Sequence, residues 1–255
     1  MIDRYINNKI NAIWNDQNRF DTWKLIQEKY VETLEELKIA ESGIAKKIRK
    51  AEISKEEVYK QEKITNHDLA SFVDILQKKV GEGSNWVHYG LTSSDIVDSA
   101  NSLLIIQSIE IAQELILDLL KELKLKAIKN KDTKIIGRTH GVYAEETFLG
   151  NIFGNWYLEI KRSLDRVERA KVSIAYGKLS GPVGNHTVVT EEMEEITLEK
   201  LGLKPEIFAS QIVSRDRYAE VFTSLSILAS TYERISTNLR SCLLYTSPSP
   251  RDVSL

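Results

Sequence analysis

The chain has 255 residues, of which 42% are hydrophobic and 28% are charged, a composition typical of globular proteins rather than disordered chains. Its 35 lysines and arginines nearly balance its 37 aspartates and glutamates, so no global charge favours nucleic acid or an anionic membrane as a partner. We therefore expect a small-molecule or protein partner.

Cysteine usage and the first residues bear on the compartment. The single cysteine, Cys242, excludes an internal disulfide and a cysteine-based metal cluster. The opening residues MIDRYINNKI lack the basic start and apolar run of a secretory signal, and no later stretch approaches the roughly 20 apolar residues that span a bilayer. We expect a cytoplasmic protein with no membrane partner.

Helices dominate the predicted elements. Only four prolines and twelve glycines interrupt the chain, and apolar residues recur at helical spacing over 20–37 and 104–119. The sequence SKEE at 54–57 has the form of a capping box, which predicts a helix start. Long helices are predicted from Thr92 to Lys129, from Tyr143 to Ala175 and from Ser214 to Arg240.

These elements predict an all-α fold with two folded parts. We expect an N-terminal helical domain over residues 1–91 and a truncated central bundle of long helices over residues 92–241. The last residues, 242–255, read CLLYTSPSPRDVSL, which is rich in proline and serine and has no apolar periodicity. They resemble a translated sequencing adapter, so we interpret them as a non-native tail and the chain as a fragment.

The chain has four histidines, and proton transfer is considered for each. His140 lies in GRTHG (137–141), where a predicted helix start and a neighbouring arginine would keep the imidazole neutral near pH 7. A neutral imidazole that can take or give a proton suits acid–base catalysis, but a lone histidine in a helical protein is more often structural, so this segment alone favours a structural role. His88 and His186 lack comparable neighbours and are interpreted as structural.

Two further segments carry polar groups at predicted helix starts. In TNHDLASF, Thr65 or Asn66 is predicted to cap a helix with Asp68 in its first turn, so that His67 and free amides form either a plain helix start or an anion cradle. In GLTSSDIVD, Thr92 and the aspartate three residues later form a predicted capping box. The hydroxyls of Thr92, Ser93 and Ser94 could also hold a carboxylate or phosphate.

Several motifs together resemble one family. The chain is similar over about residues 1–241 to the adenylosuccinate lyase family of the fumarase/aspartase superfamily. The resemblance rests on the N-terminal MIDRYINNKINAIWNDQNRFDTW and on four motifs in order: WVHYGLTSSDIVD (86–98), GRTHGVYAE (137–145), GKLSGPVG (177–184) and SQIVSRDRYAE (210–220).

The resemblance implies an all-helical subunit in a homotetramer whose active sites are each built from several subunits. It implies cleavage of a carbon–nitrogen bond by β-elimination without a cofactor. Adenylosuccinate would give AMP and fumarate, and the succinyl-carboxamide ribotide of purine synthesis would lose fumarate in the same way, so the partner is a purine nucleotide.

The resemblance also assigns residues. His140 would be the general acid that protonates the departing amine, and His67 would assist in the phosphate and proton network. Asn66 stands where many relatives carry arginine. The residues implied in substrate binding are Thr92 and Ser93 at the succinyl carboxylate, Arg4 and Tyr5 at the nucleotide phosphate, Gln211 through amide hydrogen bonds, and Asn66 and Asp68 around His67.

The catalytic base has no counterpart in this sequence. In the family it is a serine on a loop of the form Ser-Ser-x-Met-Pro-x-Lys-x-Asn-Pro, and no such stretch occurs here. We therefore expect the chain to be inactive alone. Two alternatives remain: another lyase of the superfamily, such as argininosuccinate lyase or a carboxymuconate cycloisomerase, and a non-catalytic helical scaffold with its histidines and hydroxyls on separate surfaces.

Overall fold

The computed structural model describes residues 3–243, and the chain divides into two compact units. The first unit comprises the residues up to 111 together with 173–216, and the second comprises 112–172 together with the residues from 217 onward. The predicted domain boundary between residues 91 and 92 stays a prediction. The interpretation of 242–255 as a non-native tail falls almost entirely outside the described residues.

Residues 3–243 are mostly helical, in agreement with the predicted all-α class. Two short 3-10 helices span Asp3–Tyr5 and Ser84–Trp86. Nine α-helices lie in this part of the chain: α1 (Asn8–Trp14), α2 (Asp16–Glu36), α3 (Ile44–Lys50), α4 (Lys55–Thr65), α5 (Asp68–Val80), α6 (Ser93–Lys129), α7 (Leu149–Ile174), α8 (Glu191–Lys200) and α9 (Asp216–Leu243).

Local sequence signals fix several of these helices. The predicted capping box at the start of α4 is present: the Ser54 hydroxyl accepts from the Glu57 N–H at 3.2 Å, and the Glu57 carboxylate accepts from the Ser54 N–H at 3.0 Å. The uninterrupted α6 and the start of α9 agree with the predicted long helices. In the part of the chain that the structure describes, no helix combines the length and apolar character that a bilayer crossing requires.

The first unit has an aromatic core around α2. Its buried face follows helical periodicity, because residues three and four apart lie on the same side of a helix. Phe20 and Trp23 pack edge to face at 5.3 Å between ring centroids, and Trp23 packs on Phe72 of α5 at 5.5 Å. The other buried apolar residues of α2 are Ile26, Tyr30, Val31 and Leu34.

The second unit contains a β-hairpin where the sequence predicted the start of a helix. Strands β1 (Lys134–Thr139) and β2 (Val142–Phe148) pair antiparallel, so the predicted helix from Tyr143 is wrong over 143–148 and α7 begins only at Leu149. The turn residues His140 and Gly141 have φ of +52° and +78°. Two consecutive residues with positive φ match the twist of antiparallel strands and therefore favour a hairpin.

The helices of the second unit share a separate apolar core. Ile116 and Leu120 of α6, Trp156 and Ile160 of α7, and Leu228 of α9 form one buried cluster. The start of α7 approaches the end of α6 closely, as a Cβ on Gly150 would lie 2.6 Å from the Ala127 carbonyl oxygen.

Candidate functional site

The start of α6 is held by a buried carboxylate. The Thr92 N–H donates to Asp95 Oδ2 at 2.8 Å, and the Asp95 N–H donates to the Thr92 carbonyl oxygen at 3.1 Å. The carboxylate half of the predicted capping box is therefore present. Ser93 is the first residue of α6, and its hydroxyl is only partly buried. The helix start thus presents two hydroxyl-bearing residues beside a fixed anion.

His67, rather than Thr65 or Asn66, caps α5. Asn66 adopts the left-handed conformation (φ +54°) that ends α4, which leaves the extended His67 (φ −150°) as the residue before α5. The His67 Nδ1 accepts from the Ala70 N–H at 3.4 Å. The predicted cap was wrong because the helix before it ends in a turn that the sequence reasoning did not assign, whereas Asp68 lies in the first turn as predicted.

The two helix starts meet through one side-chain contact. His67 Nε2 lies 3.2 Å from Ser93 Oγ. Nδ1 accepts a backbone N–H and also lies 3.4 Å from Asp68 Oδ1, and the contact with Ser93 is completed when the ring carries a proton on Nε2. Nε2–H then donates to Ser93 Oγ, and the serine proton remains available for another acceptor. His67 is half-exposed, so this pair can be reached from solvent.

A buried lysine, Lys178, is paired with the carboxylate at the start of α6. Lys178 and Asp95 are both completely buried, and the Lys178 ammonium donates to Asp95 Oδ1 and, at 2.8 Å, to the Gly181 carbonyl oxygen. Burial raises the pKa of Asp95, while the ammonium and the Thr92 N–H oppose this shift. Sequence reasoning missed this pair, although a lysine within the glycine-rich segment GKLSGPVG was a usable signal.

The glycine-rich segment is bonded on both sides of Lys178. Ser99 Oγ lies 3.2 Å from both the N–H and the carbonyl oxygen of Lys178, as donor to the oxygen and acceptor from the N–H. The next N–H, of Leu179, donates to the buried Glu194 carboxylate at 2.6 Å. Burial raises the pKa of Glu194, and the Leu179 N–H opposes this. The segment is therefore fixed against α6 and α8.

The segment that carries Gln211 is anchored to α6 as well. Asp98 is buried and accepts from the Val213 N–H at 2.8 Å and from Arg215 Nη2 at 3.1 Å. Gln211 lies two residues before Val213, and its side chain is exposed. The first turns of α6 thus position two of the motifs that carry the family resemblance.

His88 is held in one tautomer. The backbone N–H of His88 donates to Gln27 Oε1 at 2.9 Å, so the side-chain amide nitrogen of Gln27 faces the His88 ring. That nitrogen lies 2.8 Å from His88 Nδ1. The amide donates there, which leaves the ring proton on Nε2. Burial, reinforced by the nearby His67, lowers the pKa of His88 to about 4. The ring is therefore neutral at physiological pH.

The other candidate residues are described within their own units. His140 belongs to the second unit, at the exposed tip of the β1–β2 hairpin, so the predicted helix-start environment for it is wrong. The neighbouring Arg138 stacks on Tyr143, with its guanidinium carbon 4.7 Å from the ring centroid. In the first unit, Arg4 and Tyr5 are exposed, and the Arg4 guanidinium lies 4.8 Å from the Tyr5 ring.

The described site is a polar surface with hydroxyl, imidazole and carboxylate groups. Within residues 3–243, no group of three or more histidine, cysteine, aspartate or glutamate side chains is arranged to hold a metal ion. His67, Asp68, Thr92 and Ser93 are brought together in the first unit by the starts of α5 and α6. This arrangement can bind an anion through hydroxyls and helix-start amides and can transfer a proton through an imidazole.

Known proteins resemble this chain in sequence. A family model described as a lyase matches residues 8–250. Adenylosuccinate lyases from Thermotoga maritima (40% identical over 241 residues), Aquifex aeolicus (37% over 244) and Bacillus subtilis (37% over 244) each match 94% of this chain. The chain spans 56% of the length of these curated relatives.

Solved structures resemble it in fold. A fumarate lyase from Mesorhizobium sp. BNC1 superposes with a TM-score of 0.87 at 20% identity, covering 94% of this chain and 58% of its own. A β-carboxy-cis,cis-muconate cycloisomerase from Acinetobacter calcoaceticus sp. ADP1 superposes with a TM-score of 0.86 at 20% identity, with the same coverage. At this identity the likeness establishes the fold alone.

Proposed function

The chain belongs to the lyase family, and from this premise we propose that it contributes the substrate-binding region of an adenylosuccinate lyase. The observation that carries the proposal is the contact between His67 and Ser93, which joins the segment TNHDLASF to the motif WVHYGLTSSDIVD at one polar surface. The relatives named adenylosuccinate lyase, at 33–40% identity, support this substrate over that of other lyases.

The reaction removes a proton from the carbon next to a carboxylate and then breaks the carbon–nitrogen bond. The electron pair of the broken C–H bond forms the second bond of the fumarate C=C. The pair of the C–N bond leaves with the nitrogen, which takes a proton from a general acid. Negative charge develops beside the carboxylate, so positioned donors lower the barrier. Thr92 and Ser93 supply hydroxyls for the succinyl carboxylate, at a helix start whose dipole favours an anion.

Proton transfer is divided between two histidines in this proposal. His140 acts as the general acid toward the amine nitrogen, and its exposure at the hairpin tip leaves it open to a substrate. His67 supports the phosphate and proton network with Asp68 and Asn66. In a homotetramer each site takes residues from several subunits, so His140 and His67 of one site need not belong to one chain.

The remaining assigned residues bind the nucleotide. Arg4 carries a cation for the phosphate, with Tyr5 beside it, and the exposed Gln211 offers an amide for hydrogen bonds to the substrate. A purine nucleotide is a small soluble substrate, which fits a cytoplasmic enzyme that binds neither nucleic acid nor membrane. No cofactor enters the steps above.

The catalytic base is the residue that this sequence does not supply. No stretch of the form Ser-Ser-x-Met-Pro-x-Lys-x-Asn-Pro occurs in the 255 residues. The 255-residue chain alone is therefore proposed to release no fumarate from adenylosuccinate. Turnover near that of the Thermotoga maritima relative, measured on the purified chain, would contradict this part of the proposal.

A chimera tests the substrate assignment. Residues 1–241 are joined to the part of the Thermotoga maritima relative that lies beyond the matched region, and the product is checked for oligomeric state and helicity. We expect fumarate release from adenylosuccinate and from the succinyl-carboxamide ribotide, and none from argininosuccinate. The Thermotoga maritima segment alone serves as the blank. Release from argininosuccinate alone, or no release by a folded oligomer, would favour another superfamily lyase or a scaffold.

A further inference from the structure

The buried ion pair between Lys178 and Asp95 lies directly behind the helix start that carries the proposed carboxylate-binding hydroxyls. Both side chains are fully excluded from solvent, and neither belongs to the residues assigned to catalysis or substrate binding above. Resting on the proposed function, we propose that Lys178 and Asp95 are positioning residues that hold Thr92 and Ser93 in the geometry that binds the succinyl carboxylate.

The geometry of Asp95 connects the ion pair to the hydroxyls. One carboxylate oxygen, Oδ1, accepts from the Lys178 ammonium, and the other, Oδ2, accepts from the Thr92 N–H at 2.8 Å. The carboxylate cannot rotate without losing one of these bonds. Because the Thr92 backbone is fixed in this way, the following residue, Ser93, is kept 3.2 Å from His67 Nε2.

Lys178 is itself fixed from several directions. Its backbone is bonded in both directions to Ser99, one turn further along α6 than Asp95. Its ammonium also donates to the Gly181 carbonyl oxygen at 2.8 Å. A Cβ on Gly181 would lie 3.7 Å from the Gly90 carbonyl oxygen, so the loop lies against the chain that leads into α6. Lys178 therefore connects the glycine-rich segment to the start of α6.

Charge gives the pair a second role in binding. Burial raises the pKa of Asp95, so without the Lys178 ammonium the buried carboxyl group would favour its neutral form and would accept less strongly from the Thr92 N–H. The Lys178 ammonium keeps Asp95 ionised and balances its charge, so the helix start remains attractive to a second anion.

A purely stabilising role predicts different behaviour. Buried ion pairs are often replaceable by apolar side chains of similar volume without loss of stability, because desolvation offsets their attraction. The double variant Asp95→Asn with Lys178→Met removes both charges and keeps the approximate volume. If the pair only stabilises the fold, this variant should retain the contact between His67 and Ser93.

Nitrogen NMR of the histidine rings in the full 255-residue chain tests positioning without any need for turnover. The His67 signals are assigned from their absence in His67→Asn, and helicity and unfolding free energy are measured in parallel. In the unmodified chain, we expect the ring nitrogen shifts of His67 to be those of a ring protonated on Nε2. In Lys178→Met and in the double variant, the shifts should move toward the average of the two tautomers.

The matched control is Thr197→Val, which removes a buried hydroxyl in the same unit that is bonded to Met193 of α8 and Thr33 of α2. It should lower the unfolding free energy and leave the His67 signals unchanged. Unchanged His67 signals in the folded double variant would overturn the proposal. If Lys178→Met does not fold, the double variant alone decides the outcome.

The chimera adds a catalytic measurement. Lys178→Met should raise KM for adenylosuccinate at least about tenfold, with a smaller effect on kcat, because Asp95 then holds Thr92 and Ser93 less firmly. The double variant should show a similar rise, since it also lacks the bond between the two side chains. Equal KM in the unmodified chimera, in Lys178→Met and in the double variant would contradict the positioning role. An unmodified chimera without activity would count against the proposed function, while the NMR comparison would still decide the positioning role.

Discussion

His67 Nε2 lies 3.2 Å from Ser93 Oγ, although 26 residues separate them along the chain. His67 ends the turn between α4 and α5, and Ser93 is the first residue of α6, so the contact joins two helix starts. Each helix start directs N–H groups outward, and an imidazole and a hydroxyl lie between them. This part of the first unit is suited to bind an anionic group.

Loss of the Ser93 hydroxyl should weaken substrate binding. In the chimera, Ser93→Ala should raise KM for adenylosuccinate roughly 10- to 100-fold, as a hydrogen bond to a charged group contributes about 1.5–3 kcal/mol. kcat should change less, because the chemistry at the nitrogen is untouched. Ser226→Ala on α9, which removes only a bond to the Phe222 carbonyl oxygen, is the control. A Ser93→Ala enzyme with unchanged KM would remove Ser93 from the site.

Local patterns sufficed for much of the fold. The run from Thr92 to Lys129 has no proline or glycine, and α6 occupies 93–129 without a break. The box at Ser54 caps α4 as its spacing predicted. Such signals involve residues within four positions of each other, which is why they can be identified from sequence alone.

Features that depend on distant partners could not be predicted in the same way. The residues from Val142 to Phe148 include alanine and glutamates that favour a helix, but pairing with β1 overrides that preference. The pair between Lys178 and Asp95 joins positions 83 residues apart. His140 lies in the turn of the hairpin, so the predicted helix start around it was wrong. Its role as general acid, which comes from the resemblance, stays a prediction.

His88 should make stability depend on pH in the mildly acidic range. Its pKa is lowered to about 4 in the folded chain, while an unfolded histidine titrates near pH 6.5. The unfolded state therefore binds a proton that the folded state does not, and stability present above about pH 6.5 is lost as the pH falls toward about 4.

His88→Asn should remove this dependence, and asparagine tolerates the positive φ of +64° at this position. When the pH is lowered from about 7 to about 5, the unfolding free energy of both proteins is expected to fall. The fall should be about 2 kcal/mol smaller in the variant than in the unmodified chain. Urea unfolding at both pH values measures the difference. Equal losses in the two proteins would show that His88 titrates normally in the folded chain.

Asp98 should anchor the segment that carries Gln211. Asp98→Ala leaves the buried Val213 N–H without its acceptor and should lower the unfolding free energy by about 2 kcal/mol. Trypsin should then cleave after Arg215 faster than in the unmodified chain. Asp74→Ala, which removes a partly buried carboxylate bonded to Gln61, is the matched control and should leave that cleavage rate unchanged. Slow cleavage in Asp98→Ala would mean that other contacts hold the segment.

Gly184 should tolerate no side chain. It has φ +75°, and a Cβ there would lie 2.0 Å from the Ala209 carbonyl oxygen, whereas Gly202 has φ +71° with open space around it. Gly202→Ala should cost about 1 kcal/mol of unfolding free energy through backbone strain alone. Gly184→Ala should cost about 3 kcal/mol, since the backbone must also move. Equal costs, measured by urea unfolding, would show that the loop yields without strain.

The role of His140 is the central claim of the proposed chemistry. Its side chain is exposed, and its φ of +52° suits asparagine, so His140→Asn in the chimera should fold and assemble normally. A lost general acid costs roughly 100- to 10,000-fold in rate. The decisive measurement is therefore fumarate release from adenylosuccinate by the chimera and by its His140→Asn variant in the same oligomeric state. We predict a fall in kcat of at least about 100-fold with KM little changed, and undiminished kcat in the variant would contradict the account.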